Sequence, residues 1–305
     1  MRKSEKNIRD CVISRPDPKV PVGVLLVIIN RFFNPTNLKR MEDDFKFLLK
    51  IINDKDYRGE FDLALRNNYF NLYYKGNSLA KVVFNKSDTY KITMNTKFFS
   101  HTGAAKDKRF SAVRKGDYFE IVLDKKLLHP FFQKKYINQF ISNIRKVNYN
   151  EETISEQAII TDNLGREDII IIDRQIEDKG FKKRMDLLAL CQAKNNKNEY
   201  NLCVMEVKLG NNSELKNKVA IQLEEYVSHI DKNFDDYKYC YEKQYEQKKK
   251  LNLIFGPKYE SIKIVKPVEG LLAVVGYHEL AKDQITQLKI NHPGLDVISF
   301  GYSLE

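Results

Sequence analysis

The sequence predicts an α/β protein whose second half carries a mixed central sheet, preceded by a basic α+β half built on an antiparallel meander. Three observations lead there. Residues 61–94 break into short strand patterns separated by turn residues, three apolar strand runs fall between 168 and 207, and strand and helix patterns alternate after 270. Lys and Arg are concentrated before residue 150. A first domain at 1–147 and a second at 148–305 are expected, joined at the polar stretch Arg145 to Glu151.

The beginning of the chain reads as irregular, with prolines at 16, 18, 21 and 35. Leu38, Met41, Phe45, Leu48, Leu49 and Ile52 then recur at three- and four-residue steps, which predicts one amphipathic helix capped by Thr36 or Asn37. Strands follow at Phe61 to Leu65, Tyr69 to Tyr74, Leu79 to Phe84 and Tyr90 to Met94. Asn67-Asn68, Lys75-Gly76-Asn77 and Asn85 to Asp88 separate them as hairpin turns. Tyr69, Asn71 and Tyr73 alternate with Phe70, Leu72 and Tyr74, so both faces of that strand carry aromatics. Such faces suit packing on both sides or a stacking surface for bases. Ser100 to Gly116 reads as a cationic loop, Tyr118 to Leu123 as a strand, and Pro130 as the start of a helix with a stripe from Phe131 to Ile144.

The second half opens on a short helix, Glu151 to Ile160, and a strand from Asp168 that Arg174-Gln175 continue. Gly180 marks a turn before the runs Asp186 to Leu190 and Leu202 to Val207, which the Lys/Asn-rich hairpin loop Gln192 to Tyr200 joins. A helix over 213–230 buries Val219, Leu223, Tyr226, Val227 and Ile230, and Tyr237 to Lys250 reads as a packed helix with a Lys-rich end. Gly270 to Tyr277, Glu279 to Leu288 and Asp296 to Phe300 complete a strand–helix–strand ending suited to a mixed sheet.

Composition narrows the class. With 42% hydrophobic and 30% charged residues the chain is globular, and no apolar run approaches a membrane span. The longest, Val22 to Ile29, is expected to be a buried element. Charges among the first residues leave no signal-peptide core. Cys11, Cys191, Cys203 and Cys240 lack Cys-x-x-Cys spacing, so neither a zinc site nor a disulfide framework is expected, and a reduced cytoplasm is the expected home. Residues 1–150 hold 30 Lys and Arg against 15 Asp and Glu, a net of +15; the remainder holds 22 against 26, a net of −4. A cationic half beside a carboxylate-rich one suits a grip on a polyanion next to a metal site. Lys106, Lys108, Arg109, Arg114 and Lys115, set among Gly103, Ala104 and Ala105, are the candidate phosphate contacts, although a solvated loop fits the same residues.

Chemistry concentrates at Asp186 and at Glu206-Val207-Lys208, where charged groups interrupt apolar strands. Glu206 and Lys208 stand two apart and share a strand face. Two carboxylates and an amine converging at strand ends can hold a hard divalent cation, which polarises a phosphate and activates water. Gln222 and Tyr226, four apart on the following helix, share a face beside its apolar stripe. None of the five His residues has metal-ligand spacing, which argues against His-based hydrolases.

Asp186, then Glu206-x-Lys208 twenty residues on, then Gln222-x-x-x-Tyr226, resembles the PD-(D/E)XK nuclease superfamily, in its RecB-type branch. Arg184-Met185 stands where the family pattern has a proline, and the resemblance covers roughly residues 150–300. It implies a restriction-endonuclease-like core and a metal-dependent nuclease acting on DNA or RNA, DNA favoured, in prokaryotic defence or repair. Asp186 and Glu206 would hold Mg²⁺, or Mn²⁺ in its place, with the Val207 carbonyl as a further ligand. Lys208 would place the attacking water and offset charge on the phosphate. Gln222 would hold Lys208 or that water, and Tyr226 would orient the set or touch a phosphate. Such nucleases often add a carboxylate from an early helix, for which Glu151, Glu152 and Glu156 compete with their reading as a solvated turn. The expected partner is nucleic acid, with a homodimer or partner protein through the first half also compatible. An inactive nucleic-acid-binding or sensor module on the same fold is the alternative function; a hydrolase of small phosphorylated molecules fits the cationic half less well.

Overall fold

The computed structural model describes residues 28–301 apart from 55, 58, 87, 148–150, 195 and 278. Prolines 16, 18 and 21, Cys11 and residues 22–27 of the expected apolar element lie outside the described residues; Ile29, at that element's end, is buried. Among the described residues the fold is mixed α/β with two sheets, and no helix is long and apolar enough to cross a membrane.

The first helical region is two helices, α1 (Pro35–Asp44) and α2 (Lys46–Ile52), broken at Phe45. Phe45 is buried edge-on against Phe70, Phe84 and Tyr90, with centroids 5.1–5.9 Å away. The cap is Asn34, whose side chain accepts the Asn37 N–H at 2.8 Å, and not Thr36 or Asn37. Pro35 at the first helical position explains the earlier start, since its fixed φ suits the turn and it has no N–H to satisfy.

Strands β1 (Phe61–Arg66), β2 (Tyr69–Tyr74), β3 (Asn77–Phe84) and β4 (Thr89–Asn95) form the expected meander. Lys75 and Gly76 both have positive φ, as a tight hairpin needs, and a side chain at Gly76 would strike the Thr153 carbonyl. The Ser100 to Gly116 stretch is not a loop. After α3 (Thr96–Phe99) it forms α4 (Gly103–Lys106) and β5 (Ala112–Lys115), which pairs with β6 (Tyr118–Asp124) to give the order β1-β2-β3-β4-β6-β5. Pro130 does not start a helix; it lies inside α5 (Lys125–Phe131), and the apolar stripe belongs to α6 (Lys134–Val147). Phe70, Tyr90, Phe131 and Phe140 meet in a core between this sheet and α1, α2 and α6.

In the second half α7 (Glu151–Asp162) precedes β7 (Ile169–Ile176), β8 (Met185–Gln192) and β9 (Glu199–Leu209). Then come a 3-10 turn (Ser213–Lys216), α8 (Lys218–Lys232), α9 (Phe234–Lys250), β10 (Lys263–Tyr277), α10 (Glu279–Asn291) and β11 (Asp296–Gly301). The sheet order is β11-β10-β9-β8-β7; β10 runs parallel to β9 and β11, and β8 antiparallel to β7 and β9. One face packs on α8 and α9 through Leu188, Val204, Leu223 and Tyr241. The other packs Leu187, Met205 and Val207 on Ile159 and Ile160 of α7.

A buried charged network joins the two sheets. Asp173 of β7 accepts from Arg66 of β1 at 2.7 Å and from Arg31 at 3.2 Å, and Lys248 of α9 donates to the Ile172 carbonyl at 2.7 Å. Burial opposes the Asp173 charge, yet Arg66, Arg31 and Lys248 hold its carboxyl below the usual range. Asp173→Asn would leave two guanidinium groups buried without a counter-charge. It is expected to cost about 3–5 kcal/mol, read from urea unfolding. An unchanged unfolding midpoint would show that the network adds nothing to stability.

Candidate metal and phosphate site

The site forms where β8 and β9 part. Their ladder ends at Leu187 opposite Met205, and beyond it the Asp186 carboxylate takes over the role of a strand carbonyl, accepting the Val207 N–H at 3.0 Å. An extended residue presents its N–H and C=O to the same edge, so the Val207 carbonyl also faces the gap beside Asp186. Glu206 and Lys208 alternate with Met205 and Val207, which lie under α7, and so stand on the face that α8 covers.

A chain of contacts fixes them. Tyr226 donates its hydroxyl to the Arg184 carbonyl at 2.9 Å, and Gln222 Nε2 lies 2.5 Å from that hydroxyl and 2.8 Å from Glu206 Oε1. The Lys208 ammonium sits 2.8 Å from the same Glu206 oxygen and 3.2 Å from Glu214 Oε2. Glu206 Oε2 is buried with no hydrogen-bond partner among the described residues.

Burial and the nearby Asp186 push the Glu206 carboxyl up to about 7, despite the Lys208 charge beside it. Burial also raises Asp186, against its bond from Val207 N–H and the Lys208 charge; Glu152 adds to the rise. Lys208 is raised as well: burial works against its charge, but Glu206 outweighs it. Burial raises Tyr226 to about 12. Two crowded carboxylates with one orphaned oxygen, at a gap that also offers a backbone carbonyl, match the hard donors a divalent cation takes.

The structure thus brings together Asp186, Glu206, Val207, Lys208, Gln222 and Tyr226. Gln222 holds Glu206 and Tyr226, not Lys208, and the buried Tyr226 orients Gln222 and Arg184. Of the competing acids, Glu156 lies near Asp186 but is committed to Arg174 and Gln175, each at 2.9 Å. Glu152 accepts from Asn212 at 3.0 Å, and Glu151 is exposed. Sequence reading missed Glu214, the second partner of Lys208. Its signal is faint: Asn212 caps a turn at the Glu214 N–H, 2.9 Å away, at the end of the strand that carries Lys208.

The five cations are not gathered at this site. They lie on α4, β5 and the turn between them, at the sheet edge opposite β1. Five strand spacings separate the two edges, roughly 24 Å. Arg109 is paired with Asp107 at 2.6 Å, and Lys115 with Glu120 at 2.5 Å; Lys106, Lys108 and Arg114 are exposed.

A second donor group forms where sequence spacing suggested none. Cys203 faces Glu269 across the β9–β10 ladder and lies diagonal to Cys191 on β8, so one ligand atom from each falls within 4.8 Å of the others. Two thiols and one carboxylate form a softer set than the oxygens at Asp186 and Glu206. Comparisons with protein families, with curated proteins and with solved structures find no match to this chain.

Proposed function

We propose that the chain is a cytoplasmic metal-dependent nuclease that hydrolyses phosphodiester bonds, with DNA as the favoured substrate, through a PD-(D/E)XK-type centre on a restriction-endonuclease-like core. One observation carries this reading: Glu206 is almost fully buried beside Asp186, one of its oxygens has no partner among the described residues, and its proton is held to about pH 7. Leaving such a group uncompensated is costly. A magnesium ion, or manganese in its place, would be held by Asp186, Glu206 and the Val207 carbonyl; when bound it supplies Lewis-acid polarisation of the phosphate and a water of lowered pKa.

The chain's own residues supply the rest. Gln222 and Tyr226 fix the Glu206 carboxylate against the strand, so little reorganisation is needed when a ligand arrives. Lys208 offers a point charge beside both acids, where it can offset charge growing on phosphate oxygens and hold a water. Prokaryotic defence or repair is the setting that the resemblance implies.

The test is cleavage of labelled single- and double-stranded DNA and RNA in Mg²⁺, Mn²⁺ and EDTA. Cutting that requires the metal supports the reading; no cutting in any arm removes it. The cationic edge gives a separate expectation. Neutralising Lys106, Lys108, Arg109, Arg114 and Lys115 should weaken nucleic-acid binding and flatten its log–log salt slope, mostly through the three cations that have no acidic partner among the described residues. The rate at saturating substrate should stay near wild type. An unchanged slope would make this edge a merely solvated surface.

A further inference from the structure

On the outer face of the six-stranded sheet, Lys81, Thr93 and Glu120 are half-buried and Val122 is exposed among the described residues. Ladder registers align Asn71, Lys81, Thr93 and Glu120 in one row, and the pairs Tyr73–Ser78 and Asn95–Tyr118 stand beside it. Two cavities lie along these residues. One, of about 440 Å³, is lined by Asn67, Tyr69, Asn71, Tyr73 and Gln175, with Arg31, Arg66, Lys179 and Arg184 outnumbering the acids Glu177 and Asp178. The second, of about 380 Å³, is lined by Asn71, Ser78, Lys81, Thr93, Asn95, Phe98 and Tyr118. Asn71 lines both, so the two cavities adjoin at this side chain as a two-part trough, and Arg184, two residues before Asp186, lines the first part.

The chemistry along the trough is specific. Asn71 donates to the Tyr73 hydroxyl at 3.2 Å, and its own Oδ1 is buried without a partner among the described residues. A buried acceptor of this kind is met by ordered water or by a ligand's donor. Lys81 places its ammonium 4.2 Å above the Tyr69 ring, and Tyr118 is 51% exposed. Lys91 and Lys115 flank Glu120, and their charges exceed that of the single acid between them. Amides match the edges of bases, aromatic rings match their faces, and lysines match the phosphates between them. A duplex stacks its base faces on one another, so tyrosine rings on a sheet can be stacked upon only by unpaired bases.

We propose that this trough, from Tyr118 through Asn71 to Arg184, binds a single strand of nucleic acid and leads it toward Asp186 and Glu206. Binding stands on the trough alone, while delivery rests on the nuclease reading of the site. Anisotropy titrations would use the full chain with a labelled single-stranded DNA 20-mer, its RNA counterpart and the matching duplex, in Ca²⁺. Cleavage of the same strands would be followed in Mg²⁺. Wild type should prefer the single strands. Tyr118→Ala and Asn71→Ala should each weaken single-strand binding about tenfold, the range of one lost stacking or base-edge contact, and change duplex binding less than twofold. Tyr118 is exposed, so its variant tests the trough even where Asn71→Ala fails to fold. Loss of binding in the variants without any metal-dependent cutting would keep the trough and end the nuclease reading. Cutting by a wild type whose variants bind and cut equally well would end the trough and keep the nuclease. A preference for duplex, or no nucleic-acid binding at all, overturns the proposal.

Discussion

Asp186→Asn or Glu206→Gln is expected to lower metal-dependent cleavage by at least about 10³-fold, since each removes a charge and an oxygen donor from a hard cation. The Glu206 variant carries a second, opposite expectation. Its carboxyl titrates near 7 in the fold against an ordinary value of 4.5. The metal-free native state therefore holds a proton that the unfolded chain releases. The resulting destabilisation is full above about pH 7, shrinks as pH falls through that value, and vanishes below 4.5. A neutral glutamine avoids it. Glu206→Gln should thus be inactive yet more stable than wild type at pH 8, by on the order of 2–3 kcal/mol, with the gain gone at pH 4.5. Thermal unfolding without metal at the two pH values checks this; an inactive variant that is also less stable at pH 8 would show that Lys208 fully compensates the buried carboxylate.

Lys208→Ala should lower the rate at saturation by roughly 10²–10³-fold, the scale for losing one preorganised electrostatic stabiliser. Its charge acts on the transition state, so affinity for nucleic acid in Ca²⁺ should stay within a few-fold of wild type. Lys208→Arg should restore little, because a planar guanidinium does not fit a point-charge position held between Glu206 and Glu214. Single-turnover kinetics separates the two effects. Wild-type rates in Lys208→Ala would reduce the Glu206-x-Lys208 pattern to an ordinary strand end.

How the chain gathers these groups was largely legible. Asn67-Asn68 and Lys75-Gly76-Asn77 punctuate the meander because tight hairpins need residues tolerant of positive φ, and Asn68, Lys75 and Gly76 adopt it. Asp186, Glu206 and Lys208 were visible because charge in a strand fit for burial requires a compensating partner. What escaped depends on register and on distant contacts. Cys203 meets Cys191 and Glu269 only through the pairing of three strands, which no spacing along the chain encodes. The expected strand begins only at Gly270, yet Lys263 to Val268, with Pro267 inside it, extends β10 along β9. Ala112 to Lys115 is too short and charged to read as a strand, and only the β6 ladder makes it one. Glu156 resembled a free helix-turn acid until Arg174, eighteen positions away, closed on it.

The central claim is that Asp186 and Glu206 form a divalent-cation site, and calorimetric titration of Mn²⁺ into the metal-free protein tests it without any substrate. Wild type should bind at pH 8 and lose affinity progressively below about pH 7, because the metal must displace the Glu206 proton. Asp186→Asn and Glu206→Gln should each lose this site, while Cys191→Ser, which alters the softer group, should retain it. Equal Mn²⁺ affinity in wild type and Glu206→Gln, with no dependence on pH between 6 and 8, would contradict the account.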